Sequence, residues 1–190
     1  ALTNLDRPHE SISRQREAIN ILEEEVQGKV EHPQAPTLAI AYKNHAHSLN
    51  KLECYAEARE MCSKAMATLE LLISEGHGKG LTFYLFSTSM MQGLILKNLE
   101  EYEESEQMFD RSELIINRLI NEEGRTDLSR NLCMFYINKA DLLKTLNRLD
   151  ETRALFTRAL ETLNNLIVDQ GRGDVHEMKE FVEEALRELN

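Results

Sequence analysis

The sequence is poor in residues that interrupt helices and in residues that staple small folds. Only three of its 190 residues are proline and eight are glycine, so few positions force a turn. Residues that favour strands are sparse, whereas Ala, Leu, Glu, Lys, Arg, Gln and Met are plentiful, which points to an all-α chain. There are three cysteines, Cys54, Cys62 and Cys133. Their odd number and the lack of CxxC spacing argue against a disulfide framework and a zinc site. They read as small buried hydrophobes at apolar helical positions, in a reducing, cytoplasmic compartment. No apolar run approaches the roughly eighteen residues that a membrane span requires. No signal peptide is recognisable, and the chain opens on Ala1 without a Met, which suggests that something has been removed or cut away.

What remains is enough for a core. Hydrophobic residues make up 42 % of the chain, and a chain of this length buries about 70 % of its unfolded surface. The formal net charge of −11 repels phosphate backbones, so nucleic acid is a poor partner.

The stretch NKADLLKTLNRLDETRALFTRAL, from Asn138, contains two apolar patterns of different phase separated by TLNRLDE. It has two counterparts, NHAHSLNKLECYAEAREMCSKAM from Asn44 and MQGLILKNLEEYEESEQMFDRSE from Met91, and the starts are 91 − 44 = 47 and 138 − 91 = 47 residues apart. Small residues recur at Ala46, Gly93 and Ala140, and leucines at Leu49, Leu96 and Leu143 and at Leu52, Leu99 and Leu146. Next come Tyr55, Tyr102 and Leu149, then Ala58, Ser105 and Thr152, then Cys62, Phe109 and Phe156, and finally Ala65, Ser112 and Ala159. This is a helical hairpin made three times. Ala46, Gly93 and Ala140 are notches on the first helix that admit bulky knobs from a neighbouring helix. First helices are expected at about 37–51, 81–98 and 128–145, and second helices at about 55–75, 102–122 and 149–169, with Gly76, Gly78, Gly124, Gly171 and Gly173 ending the second helices. Ser11 to Gln27 fits a preceding second helix, and Asp174 to Leu189 a final first helix. That last segment carries Arg187 at the notch position and one apolar stripe, as a terminal cap would. Eight helices are expected in one domain over 1–190, comprising a half-unit at 8–28, units at about 37–80, 81–127 and 128–173, and a capping helix at 174–190.

This order of small, aromatic or leucine, small, phenylalanine and alanine positions resembles the tetratricopeptide repeat, in a long 47-residue unit of bacterial type. The family's unit is about 34 residues, and its usual leucine before the notch is replaced here by His45, Gln92 and Lys139. The resemblance implies a right-handed α-α superhelix whose first helices line a concave groove that receives a peptide. On that mapping the groove shows Ile40, Lys43, Asn44, His47, Asn50 and Lys51 from the first unit. The second unit gives Ser87, Met90, Met91, Leu94, Lys97 and Asn98, and the third Met134, Ile137, Asn138, Asp141, Lys144 and Thr145. Of the set with which chaperone adaptors of the family grip a C-terminal carboxylate, only Lys43 matches. His47, Met91, Met134 and Asn138 stand at the other four places, which argues against that ligand.

Charge adds an observation independent of family. The first helices carry Lys43, Lys51, Lys97, Arg130, Lys139 and Lys144 against the single acid Asp141, whereas acids dominate the second helices. A well-solvated outer layer explains much of this. A sharper reading is a partner segment that is acidic and partly apolar, held over Met90, Met91, Leu94, Met134 and Ile137 by Lys43, Lys97 and Lys144.

Catalytic signals are lacking. His45 and His47 lie about 200° apart on a helix and cannot share a metal. GHGKG at 76–80 follows a helix and lacks the strand-to-helix setting of a phosphate loop. No nucleophile elbow or desolvated carboxylate pair can be placed. The expected function is therefore a non-enzymatic protein-interaction scaffold without cofactor or metal, binding a peptide or helix in its groove. Two other readings stand beside it. One is a regulatory or sensor segment of a larger multidomain enzyme or signalling protein, and the other a module that self-associates through its open ends.

Overall fold

The computed structural model describes residues 6–78, 80–170 and 175–189. It is all-helical among these residues, with eight α-helices: α1 (Asp6–Val26), α2 (Ala35–Lys51), α3 (Tyr55–Ser74), α4 (Thr82–Asn98), α5 (Tyr102–Asn121), α6 (Ser129–Thr145), α7 (Leu149–Gln170) and α8 (His176–Glu188). A short 3-10 turn, Thr126–Leu128, precedes α6. The first helices start at 35, 82, 129 and 176 and the second at 55, 102 and 149, so the 47-residue period holds to the residue. The chain divides into two compact units, 1–108 and 109–190, with the boundary inside α5.

In the first unit α1 packs on α2, α2 on α3 and α3 on α4, and in the second α6 packs on α7 and α7 on α8. The small positions serve as expected. Ala46 and Ala140 have no exposed surface, nor do Ala58, Ala65 and Ala159. The Ser105 hydroxyl, buried at the matching place, donates to the Gly93 carbonyl at 2.7 Å. Cys62 and Phe109 are fully buried, and Phe156 is nearly so. Phe109 meets Phe135 of α6 at 6.2 Å between ring centres.

The link inside each hairpin has three residues and one geometry. Glu53, Glu100 and Asn147 adopt φ of 59°, 63° and 58°, at 47-residue intervals. Each donates its N–H three residues back, to Asn50, Lys97 and Lys144, and the next N–H reaches five back, from Cys54 to Leu49, Glu101 to Leu96 and Arg148 to Leu143. That is a Schellman ending with a left-handed residue at its turn. The carbonyls of Cys54, Glu101 and Arg148 then accept from Ala58, Ser105 and Thr152, so the residue that closes one helix opens the next. Cys54 consequently lies at an N-cap, half-buried, rather than at an apolar helical position, while Cys62 and Cys133 are buried as expected.

Gly76 and Gly124 end α3 and α5 with φ of 80° and 68°, whereas Gly171 and Gly173 lie outside the described residues. Gly78 has a different role: a Cβ there would sit 2.5 Å from the Ile73 Cα.

Candidate functional site

The residues expected to line the groove fall into two sets, one in each compact unit. In the first unit they lie on α2 and α4. Asn44 and His47 are exposed, and Ile40, Lys43, Met90, Leu94 and Lys97 are half-buried. The Lys43 ammonium stands 5.9 Å from the centre of the Tyr84 ring, which joins the two helices on this face. Neither α2 nor α4 contains an Asp or Glu, so Lys43, Lys51 and Lys97 give the face its sign. Partial burial lowers the pKa of His47, and the positive charges of Lys51 and Lys43 lower it further. Burial likewise lowers that of Lys43.

Met91 does not belong to this face. It is 7 % exposed and packs with Ala46, Leu49, Ala58, Cys62 and Ile95. The cause lies in α4, which buries residues around most of its circumference because neighbouring helices cover it on several sides. Beyond its first turn, α4 is left open along a narrow strip through Ser87, Met90, Leu94, Lys97 and Asn98.

In the second unit Met134, Ile137 and Asn138 are half-buried on α6, and Lys144 is exposed. Ile137, Asn138, Asp141 and Lys144 line a hollow of about 370 Å³ together with Phe156 of α7 and Phe181, Glu184, Ala185 and Glu188 of α8. Lys144 is not an isolated cation, since its ammonium pairs with Glu188 at 3.2 Å. Phe181 is 54 % exposed and meets Phe156 edge-on at 6.5 Å. Sequence reasoning passed over Phe181 because it borders the α8 stripe of Val182 and Ala185. Its place 134 + 47 = 181, in register with Met134, is the signal that would have found it.

Lys139 also departs from expectation. Its side chain is 13 % exposed and reaches Asp110 at 2.8 Å and Glu113 at 2.7 Å on α5, so it adds nothing to a basic groove. It shares this behaviour with the two residues in register. His45 is buried with Nδ1 3.1 Å from Gln15 Oε1 of α1. Gln92 donates to Ser63 of α3 at 3.4 Å, and its own Oε1 has no partner among the described residues. The position before each notch is thus a polar rung to the preceding second helix, where the resembled family carries leucine.

Charges of the second helices pair with the next second helix or with the link that precedes it. Arg16 meets Glu57 at 2.9 Å, Arg59 meets Glu101 at 2.7 Å and Arg158 meets Glu113 at 3.6 Å. Partly exposed pairs of this kind contribute little individually. No group of His, Cys, Asp or Glu able to hold a metal occurs among the described residues. No helix there is long and apolar enough to cross a membrane. Burial pushes the Cys62 and Cys133 thiols up to about 12, which leaves both protonated and unreactive at neutral pH.

No family model matches the sequence, and no curated protein matches it. Among solved structures, the crystal structure of BtubC (BKLC) from P. vanneervenii is similar in fold, with a TM-score of 0.59 and 17 % identity over 98 % of this chain and 75 % of that one. At that identity the likeness concerns the fold alone.

Proposed function

We propose that this chain is a tetratricopeptide-like interaction scaffold that holds a peptide or helix of another protein against its first helices, and that it acts without catalysis in the cytoplasm. One observation carries the reading. Ile40, Met90, Leu94, Met134 and Ile137 remain half-exposed, Ile40 in register with Met134 and Met90 with Ile137, while most other apolar residues of α2, α4 and α6 are buried. Apolar side chains kept open at repeated positions of a packed fold mark a contact surface. The cytoplasmic assignment is supported by three free cysteines.

The test is capture from a lysate of the source cells, quantified by mass spectrometry. It compares the wild type with Leu94→Glu/Lys97→Glu on the first-helix face and with Leu114→Glu on a second helix, where Leu114 is 74 % exposed. Circular dichroism checks each fold. A partner depleted roughly tenfold by the first variant and retained by the second is expected. Depletion by Leu114→Glu alone would move the contact surface to the second helices and reject the proposal.

A further inference from the structure

We propose that the hollow between α6 and α8 receives an aromatic or branched aliphatic side chain of a partner protein, presented between Lys or Arg residues. This rests on the interaction reading above and specifies the partner's chemistry at one end of the surface.

Register is the first support. The positions 134, 137, 138 and 141 on α6, advanced by 47, become Phe181, Glu184, Ala185 and Glu188 on α8. All four, with Ile137, Asn138 and Asp141, line the same hollow. The last helix therefore repeats the face-lining positions of α6. The cap function expected of α8 is met by other residues: Val175 and Val182 are fully buried and Ala185 is nearly so. Phe181 is not needed for that cover, since more than half of it is open to solvent. An exposed aromatic continuous with a floor of Ile137 and Phe156 is the arrangement of an interface anchor pocket.

Charge is the second support and fixes the occupant. Among the described lining residues the charged ones are Asp141, Glu184, Glu188 and Lys144, and the Lys144 ammonium already faces Glu188. The rim is net negative, so cationic flanks are attracted and acidic flanks repelled. This is the reverse of α2 and α4, which hold lysines and no acid. It is also the reverse of the acidic partner expected from summing charge over all first helices. That sum counted Lys139, which the fold turns toward α5, and omitted α8.

The experiment is selection from a displayed library of short peptides with one fixed central Phe, Trp or Leu and random flanks, against the full chain. Selected peptides are then measured by fluorescence anisotropy. Lys- and Arg-flanked peptides should be enriched, with affinity falling about tenfold or more in Phe181→Ala and roughly threefold to tenfold in Glu184→Lys. Because Glu184 is exposed, its substitution leaves the packing intact. It should also shift the preferred flanks away from basic residues. Basic-flanked peptides indifferent to both substitutions would overturn the proposal. Enrichment of acidic flanks, lost in Leu94→Glu/Lys97→Glu, would overturn it and leave the scaffold reading standing. Enrichment of nothing would overturn this inference, while the scaffold reading is decided by the capture experiment.

Discussion

His45 shows how one side chain ties a sequence anomaly to a measurable property. Its ring is buried against Gln15, and Gln15 also donates to Ser48 at 3.0 Å. Burial lowers its pKa, Arg16 lowers it further and Glu57 acts in the opposite sense. The fold therefore favours the neutral ring, and the unfolded chain takes up the proton first. Stability from this site is complete above the ordinary histidine pKa of about 6.5 and declines as pH falls below it. Melting followed from pH 7.5 to 5.5 should show a loss that is smaller in His45→Gln. An identical slope in both proteins would mean that His45 is not the titrating group. That His45, Gln92 and Lys139 break the leucine pattern was legible in the sequence. Their partners were not, because Gln15, Ser63, Asp110 and Glu113 are 26 to 30 residues away. The burial of Met91 was illegible for a similar reason, since the register-related Asn44 is exposed and Asn138 half-buried.

Helix boundaries were legible to within about two residues in all three hairpins, because the repeat was read three times and each copy corrected the others. The conformation of the link was only partly so. Asn147 tolerates a left-handed backbone, but Glu53 and Glu100 do not advertise one. A β-carbon in that region costs about 1–2 kcal/mol, and glycine removes the penalty at the expense of a more flexible unfolded chain. Glu100→Gly should thus stabilise the protein by about 0.5–1 kcal/mol, read as a higher urea midpoint at unchanged slope. A lower midpoint would contradict the assigned turn. In α8, the apolar stripe and the Arg187 notch identified a terminal helix, yet the same pattern concealed Phe181, whose neighbours Val182 and Ala185 face inward.

Across the molecule, neighbouring helices supply the packing, so a lesion should remain close to home. Val182 is fully buried on α8, and Val182→Ala leaves a cavity costing about 2 kcal/mol. Native-state hydrogen exchange should then lose protection in α7 and α8, with α2 and α3 unchanged. Equal loss everywhere would indicate one cooperative block instead. The all-α class and the count of eight helices were legible from composition and period. The division into 1–108 and 109–190 was not, because it falls inside α5, where the sequence shows neither proline nor glycine.

The links at Glu53, Glu100 and Asn147 have a further consequence. Each link residue is engaged in closing one helix or opening the next, so none is spare. Inserting one residue would break the paired bonds that close one helix and open the next and displace Ala58, Ser105 or Thr152 from the buried seam. Changes of length at these sites are therefore quantised: a descendant of this chain could gain or lose a whole hairpin far more readily than a single amino acid.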